Sequence, residues 1–322
     1  MSPRRPLAVR AILGVASLRR AQRGPLREQW SIETEALSRI LHHYARRSTR
    51  LPLSVQRWAI GAMPPPRVPA KVTEVSADGV PGEWITTDGQ GTGRVLYYLH
   101  GGGYSIGSVA SHRPFIARLA QAMGARAFAI DYRLAPEHRF PAQIDDAMTA
   151  WRWLMRQGVL PEQVLMAGES AGGGLTMSTL VALRDAGEPM PGAAAIISPW
   201  VDLTLSGASI DGNARYDFLS RSVLATYVRR LMGGDDPALP AISTVFAALH
   251  DLPPILIQVG EAETLLDDAL TLARRLKDAR SPVTLHAYPD MIHAFPLMAQ
   301  LPDAKVALTE LADFAREHIR AR

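Results

Sequence analysis

From about residue 72 onward the chain repeats one pattern: a short run of β-branched and aliphatic residues, then a longer stretch with helical periodicity. The runs fall at residues 95–99, 127–130, 164–167, 194–197, 255–259 and 283–288. Most are too continuously apolar to leave a solvent face, as expected of strands covered on both sides. Segments 72–76 and 83–86 read as a hairpin closed through Asp78-Gly79 and Pro81-Gly82, which makes eight strands in all. Helical periodicity fills the intervals at 114–123, 144–156, 171–186, 265–278 and 303–319. Strands alternating with helices in this way call for a mostly parallel sheet flanked by helices on both faces, an α/β fold.

Two pieces do not fit the alternation. Residues 204–249 form a long excursion between two strands, with a helix-like stretch at 221–232 and Gly/Asp/Pro punctuation at 233–237. Residues 1–60 read as helical, with an apolar set around Ile32, Leu37, Ile40 and Leu41, and Pro64-Pro65-Pro66 mark a linker into the sheet. We therefore expect an N-terminal helical cap segment over 1–65 and a catalytic-sized domain over 66–322, with a cap insertion at about 204–249.

Charge follows the same division. Residues 1–60 carry twelve Arg against Glu28, Glu33 and Glu35, whereas the net charge of the whole chain is only +4. A basic segment on a mildly acidic body suits the solvent face of cap helices, and also suits contact with an anionic membrane surface. No nucleic-acid-binding motif accompanies it. The apolar stretch 7–18 follows Arg4 and Arg5 but is interrupted by Arg10. It falls well short of the roughly 20 apolar residues of a membrane span. Arg19, Arg20 and Arg23 stand where a cleavage site would need small residues, so neither a transmembrane helix nor a signal peptide is expected, and the expected location is cytoplasmic. The 322 residues include no cysteine, which excludes disulfides, thiolate metal sites and a thiol nucleophile. Covalent chemistry has to come from Ser, Thr, Lys or a carboxylate.

Two glycine-rich turns follow strands directly. Gly168-Glu169-Ser170-Ala171-Gly172 stands between the run at 164–167 and a helical run. In such a Gly-x-Ser-x-Gly elbow the serine tops a sharp strand-to-helix turn, and the glycines let backbones approach where side chains would collide. His100-Gly101-Gly102-Gly103-Tyr104 follows the run at 95–99. Its unobstructed N–H groups can converge on an oxygen that gains negative charge, which is an oxyanion hole. Phosphate cradling is disfavoured, since no Gly-Lys-Ser/Thr follows. His100 is placed to orient this loop by hydrogen bonding rather than to move protons.

A serine nucleophile needs a base, and the base needs a carboxylate. Of nine histidines, His293 lies just beyond the last strand, where a loop can carry an imidazole over the carboxyl edge of the sheet. His286 falls within that strand and reads as structural. The carboxylate is expected after the run at 255–259, where Glu261, Glu263, Asp267 and Asp268 compete. Position favours Glu263, because Asp267 and Asp268 fall in the first turns of the next helix, where carboxylates serve the dipole. It does not decide among the four.

Taken with Asp131-Tyr132-Arg133-Leu134-Ala135-Pro136-Glu137-His138 and Ser198-Pro199-Trp200-Val201-Asp202, these motifs make the chain from about residue 70 onward resemble the α/β-hydrolases of the hormone-sensitive-lipase-like group, the bacterial family IV esterases. The resemblance implies an eight-stranded, mostly parallel α/β-hydrolase fold with a helical cap, and a carboxylesterase acting on short to medium acyl esters through an acyl-enzyme. It matches Ser170 to the nucleophile, His293 to the base, and the N–H groups of Gly102, Gly103 and Ala171 to the oxyanion hole. Where the group carries Asp-Pro-Leu-x-Asp, this chain has Glu263-Thr264-Leu265-Leu266-Asp267, so Glu263 takes the acid's place with Asp267 in reserve. The chemistry needs no metal or organic cofactor. The block 131–138 is expected to fix the neighbouring loop through Arg133 and Glu137. Trp30, Trp58, Tyr216, Phe218 and Tyr227 are candidates for the pocket lining, with cap core the weightier role for each. A homodimer formed through the last strand and helix would fit the group. Lactone, amide and N-acetyl substrates use the same machinery. The plant gibberellin receptors, which this fold resembles, bind a small molecule under a helical lid, but they lack a working base where this chain has His293.

Overall fold

The computed structural model describes residues 7–61, 69–88, 93–301 and 303–321. Arg4, Arg5, the Pro64-Pro65-Pro66 linker and the expected boundary at 65/66 lie outside the described residues. Eight strands, β1 (Lys71–Ala77), β2 (Val80–Thr86), β3 (Val95–Leu99), β4 (Arg126–Ile130), β5 (Val164–Glu169), β6 (Ala193–Ile197), β7 (Ile255–Gly260) and β8 (Val283–Tyr288), form one sheet. Their order is β1-β2-β4-β3-β5-β6-β7-β8. Pairings that involve β1 and β2 are antiparallel, and all the others are parallel. The hairpin turns through Asp78 (φ 52°) and Gly79 (φ 93°) alone. A two-residue turn with both φ positive matches the twist of the flanking strands. Pro81-Gly82 therefore belongs to β2 rather than to the turn, and the β2–β4 ladder begins only at Gly82.

Helices follow in chain order: α1 (Leu7–Arg23), α2 (Ile32–Ser48), α3 (Leu53–Gly61), α4 (Val109–Met123), α5 (Ala142–Arg156), α6 (Ala171–Asp185), α7 (Ser209–Gly212), α8 (Arg221–Met232), α9 (Leu266–Asp278) and α10 (Ala304–His318). The two-residue period of the strands sorts the core into layers. Val95, Tyr97 and Leu99 of β3 face the layer completed by α5, α6 and α9, while Leu96 and Tyr98 face α4 and α10. The expected start of α4 at Pro114 is corrected to Val109: the Ser108 side chain accepts from Ser111 N, and a capping box sets the start there. Pro114 then removes one intrahelical bond without ending the helix.

The cap has two parts. Segment 204–249 adds Leu224, Tyr227 and Leu231 to the α5–α6–α9 layer. A third apolar cluster joins the N-terminal helices to the loops beyond β7 and β8, with Trp30, Leu37 and Leu41 packed among Ala262, Met291, Ile292 and Phe295. Trp58 is corrected: at 71% exposure it is not cap core. No helix among the described residues is long and apolar enough to cross a membrane.

Candidate active site

Because β3, β5, β6, β7 and β8 run parallel, the loops that follow them open on one edge of the sheet. Ser170 leaves β5 with φ 55° and ψ −123°. A non-glycine residue in such a region costs of order 1–3 kcal/mol and persists only where its surroundings over-determine it. Here Ser170 N donates to Ile197 O (2.9 Å), and Ser170 O accepts from Gly174 N and Trp200 N (3.0 Å each). A Cβ on Gly172 would strike the carbonyl oxygens of Leu99 and His100, so this glycine lets the first turn of α6 lie against the 100–104 loop.

In that loop Gly102 and Gly103 take φ 116° and 58°. The N–H groups of Gly102, Gly103 and Ala171 donate to no described residue, whereas that of Gly101 is held by the Glu169 carboxylate. His100 Nδ1 bonds Gly101 O at 2.8 Å, and its ring stacks on Tyr132 at 4.4 Å. Burial, reinforced by His112, pushes the His100 imidazole down to about 4, so it stays neutral near pH 7 and orients the loop. Block 131–138 holds the same loop through Tyr132 and Ala135 N, which donates to Tyr104 O (2.8 Å); the expected role of Arg133 is corrected, since it turns to α5, and Glu137 reaches the loop only by way of Arg57. Tyr132 Oη donates to His100 O (2.6 Å), Asp131 accepts from Val109 N (2.7 Å), and Arg133 pairs with Asp146 of α5. Glu137 pairs with Arg57 of α3, whose Nε also donates to Ser105 O (2.9 Å).

His293 and Glu263 are both buried, at 3% and 0% exposure, and meet with Nδ1 and Oε1 3.3 Å apart. The second carboxylate oxygen of Glu263 accepts from Ser198 Oγ (2.7 Å) and Gly260 N (2.8 Å). Burial opposes a charged His293, but the hydrogen bond and charge of Glu263, then the charges of Asp217 and Glu169, outweigh it and raise the imidazole above its ordinary value. The other three carboxylates are engaged elsewhere or exposed. Asp267 accepts from Ser209 N (2.8 Å), Asp268 accepts from Val201 N and Asp202 N (3.0 and 2.9 Å), and Glu261 faces solvent. Ser170 shares the edge with this pair, without a hydrogen bond to His293 in the present arrangement. Serine–histidine bonds of this kind often tighten only once substrate is bound.

Aromatic rings close the site from the cap side. Phe218 stands edge-on to His293, ring centroids 5.4 Å apart, and the Tyr227 ring lies directly against Gly103. His286, as expected, is structural: it bonds Glu310 of α10 at 2.7 Å.

Three contributors were not foreseen. Ser198, at the end of β6 with φ 46°, donates to Glu263 and accepts from Ala294 N (2.9 Å), so it links the two loops. Its place between the strands that lead to Ser170 and Glu263 is a signal that topology could have supplied. His112 Nε2 lies 2.8 Å from Glu169 Oε1, and both side chains are largely buried. Burial opposes both charges, yet their mutual attraction holds Glu169 below and His112 above the ordinary values. This pair fastens the residue before Ser170 to the first turn of α4, while the same carboxylate oxygen accepts from Gly101 N in the 100–104 loop. The third is Asp217, a fully buried carboxylate from the cap insertion.

A family profile described as alpha/beta hydrolase fold matches residues 96–297. An acetyl-hydrolase of Streptomyces hygroscopicus is 43% identical over 236 residues, covering 73% of this chain and 79% of that protein. The crystal structure of EstE5 soaked with p-nitrophenyl butyrate superposes with a TM-score of 0.85 at 38% identity, covering 90% of this chain and 99% of the other. An esterase from the bacterial hormone-sensitive lipase family superposes with a TM-score of 0.83 at 37% identity and the same coverage.

Proposed function

Since the chain belongs to the α/β-hydrolase fold family, in its hormone-sensitive-lipase-like group, and is a carboxylesterase, we propose that it cleaves short to medium acyl esters through an acyl-enzyme on Ser170. The carrying observation is the meeting of His293 with Glu263 on the sheet edge that also bears the strained Ser170 and three undonated N–H groups. His293 Nε2 takes the hydroxyl proton as Ser170 Oγ bonds to the ester carbonyl carbon. The tetrahedral oxyanion is held by the N–H groups of Gly102, Gly103 and Ala171. Glu263 keeps the Nδ1 proton on His293 and offsets the charge of the imidazolium. That imidazolium protonates the departing alkoxide, the ester C–O bond breaks, and the acyl group stays on Ser170. Water, deprotonated in turn by His293, then bonds to the acyl carbon, the bond from that carbon to Ser170 Oγ breaks, and the imidazolium returns its proton to Ser170 as the acid leaves.

The cap puts aromatic surface beside the reacting atoms, with Phe218 edge-on to His293 and Tyr227 against Gly103. The test is a p-nitrophenyl ester series from acetate to decanoate on wild type and Ser170→Ala, with an organophosphonate used to label the nucleophile. The expected result is saturable turnover favouring the shorter chains, label on Ser170, and loss of both in Ser170→Ala. Turnover that survives Ser170→Ala, or a preference for the longest ester, overturns the reading. The acetyl-hydrolase relative makes acetyl esters the first members of the panel.

A further inference from the structure

The segment between α7 and α8 delivers a carboxylate to the back of the candidate triad. Asn213 anchors it first, with Nδ2 donating to Glu261 O (3.1 Å) and Glu263 O (2.9 Å) on the acid loop. Tyr216 O and Asp217 O then accept from α2, from Ser38 Oγ and from His42 Nδ1 (2.8 Å) respectively. Between these two anchors the Asp217 side chain turns inward with 0% exposure. Its Oδ2 accepts from Thr264 N (2.8 Å) and Thr264 Oγ1 (3.0 Å), and its Oδ1 accepts from Phe218 N (2.7 Å) and from His293 N (3.4 Å). Every donor is beside the acid, the base or the aromatic ring that faces the base. No salt bridge joins Asp217 to an Arg or Lys among the described residues: burial, with the charge of Glu263, raises its carboxyl above the ordinary value, and the charge of His293 with the N–H donors of Thr264 and Phe218 works against that rise, so His293 is its ionisable partner of opposite charge.

We propose that Asp217 is a positioning residue for the general base: it pins the backbone of His293 to Thr264, holds Phe218 against the ring, and supplies a second negative charge that favours the imidazolium formed in turnover. The inference rests on the reading of His293 as the base. It adds that both parts of the cap act on the chemistry rather than only covering it, because α2 holds the backbone of the residue whose side chain holds His293.

The charged groups that face His293 are Glu263 from the loop after β7, Asp217 from the cap and Glu169 from the end of β5. Removing one of these anions makes the imidazolium less favourable, so the pKa of His293 must fall. An opposite charge close by shifts a pKa by about one unit or more.

The experiment compares wild type, Asp217→Asn and Asp217→Glu by NMR titration of the His293 ring, by kcat and KM on p-nitrophenyl butyrate, and by thermal melting. Asp217→Asn keeps the shape but loses the charge. The expected result is a His293 pKa lower by about one unit, an acid limb of kcat/KM moved down with it, kcat reduced roughly 10- to 100-fold as for a mispositioned general base, and KM nearly unchanged. Asp217→Glu recovers the His293 pKa in part. Thr264→Val, which removes only the Oγ1 donor, lowers kcat by a smaller factor and keeps the fold testable should Asp217→Asn not fold. An unmoved His293 titration, or a melting loss with kcat and pH profile at wild-type values, overturns the proposal. The ring titration needs no turnover. Its result therefore stands apart from a failure of Ser170→Ala to abolish hydrolysis, which would strike the esterase mechanism instead.

Discussion

Replacing Glu263 by Gln is the sharpest perturbation of the proposed mechanism, because the surrounding donors dictate how the amide must lie. Oε2 receives the N–H of Gly260 at 2.8 Å and the hydroxyl of Ser198 at 2.7 Å. A backbone N–H can only donate, so the one oxygen left to Gln has to stay at that position. The NH₂ group then falls at the Oε1 position, facing His293 Nδ1, where the carboxylate now stands 3.3 Å away. Nδ1 must become the acceptor, the ring proton moves to Nε2, and the atom that should take the proton of Ser170 is already protonated. A wrong tautomer of this kind costs about 10⁴ in kcat in serine triads. At about 1.36 kcal/mol per tenfold, that is roughly 5.5 kcal/mol of transition-state stabilisation. The substitution conserves volume and both hydrogen bonds to Oε2, so melting temperature and KM should change little. Steady-state hydrolysis of p-nitrophenyl butyrate by wild type, Glu263→Gln and Asp267→Asn decides the matter. Turnover of Glu263→Gln within tenfold of wild type refutes the reasoning. So does a large loss in Asp267→Asn, whose carboxylate caps Ser209 rather than His293.

Two further outcomes follow from the same geometry. In the proposed mechanism the base works as neutral imidazole, and its neighbours raise His293 above the ordinary 6.5, so kcat/KM should fall as pH drops through a midpoint above 6.5. A bell whose acid limb has its midpoint below that value contradicts the burial and pairing described. Gly103→Ala places a methyl group on a residue with φ 58° and into the Tyr227 ring. The loop must turn to relieve both, and loss of an aligned oxyanion donor costs about 10²–10³ in kcat, read against an unchanged circular dichroism spectrum. Wild-type turnover in Gly103→Ala would remove Gly103 from the oxyanion hole.

The parts legible in the sequence are those with a local signature. Strand runs such as 95–99 carry their own period, and the elbow at Ser170 needs glycines at fixed offsets, so both announce themselves within a few residues. His293 was reachable because it follows a recognisable strand. Contacts made by distant segments have no such signature. His112 sits on a helix, among residues that suggest nothing more than amphipathicity, yet its partner Glu169 comes from the end of β5. Asp217 lies in an irregular stretch of the cap insertion, and only the folding of that stretch against α2 and the acid loop turns its carboxylate inward. Pro114 and Pro81 misled in the opposite direction. A proline is a strong local sign, but a capping box at Ser108 and a two-residue turn at Asp78-Gly79 outweighed it.

Glu263 shows how local and distant constraints combine. Its side chain is one methylene longer than the aspartate usual in its group, and the extra length could have displaced either the loop or the imidazole. The structure takes up the length by folding the carboxylate back on the end of its own strand, where Gly260 N–H, three residues earlier, fixes one oxygen and leaves the other to His293. Ser198 adds a second donor to the same oxygen and, by accepting from Ala294 N, ties that oxygen to the backbone of the histidine loop. The longer acid is thus compatible with the same imidazole position because three donors, from β7, β6 and the histidine itself, agree on where its two oxygens lie. It follows that Glu263→Asp should be a poor substitute here despite keeping the charge. The shorter side chain cannot meet Gly260 N–H and His293 Nδ1 together, and one of them is left without its acceptor in a buried site, at about 1–3 kcal/mol.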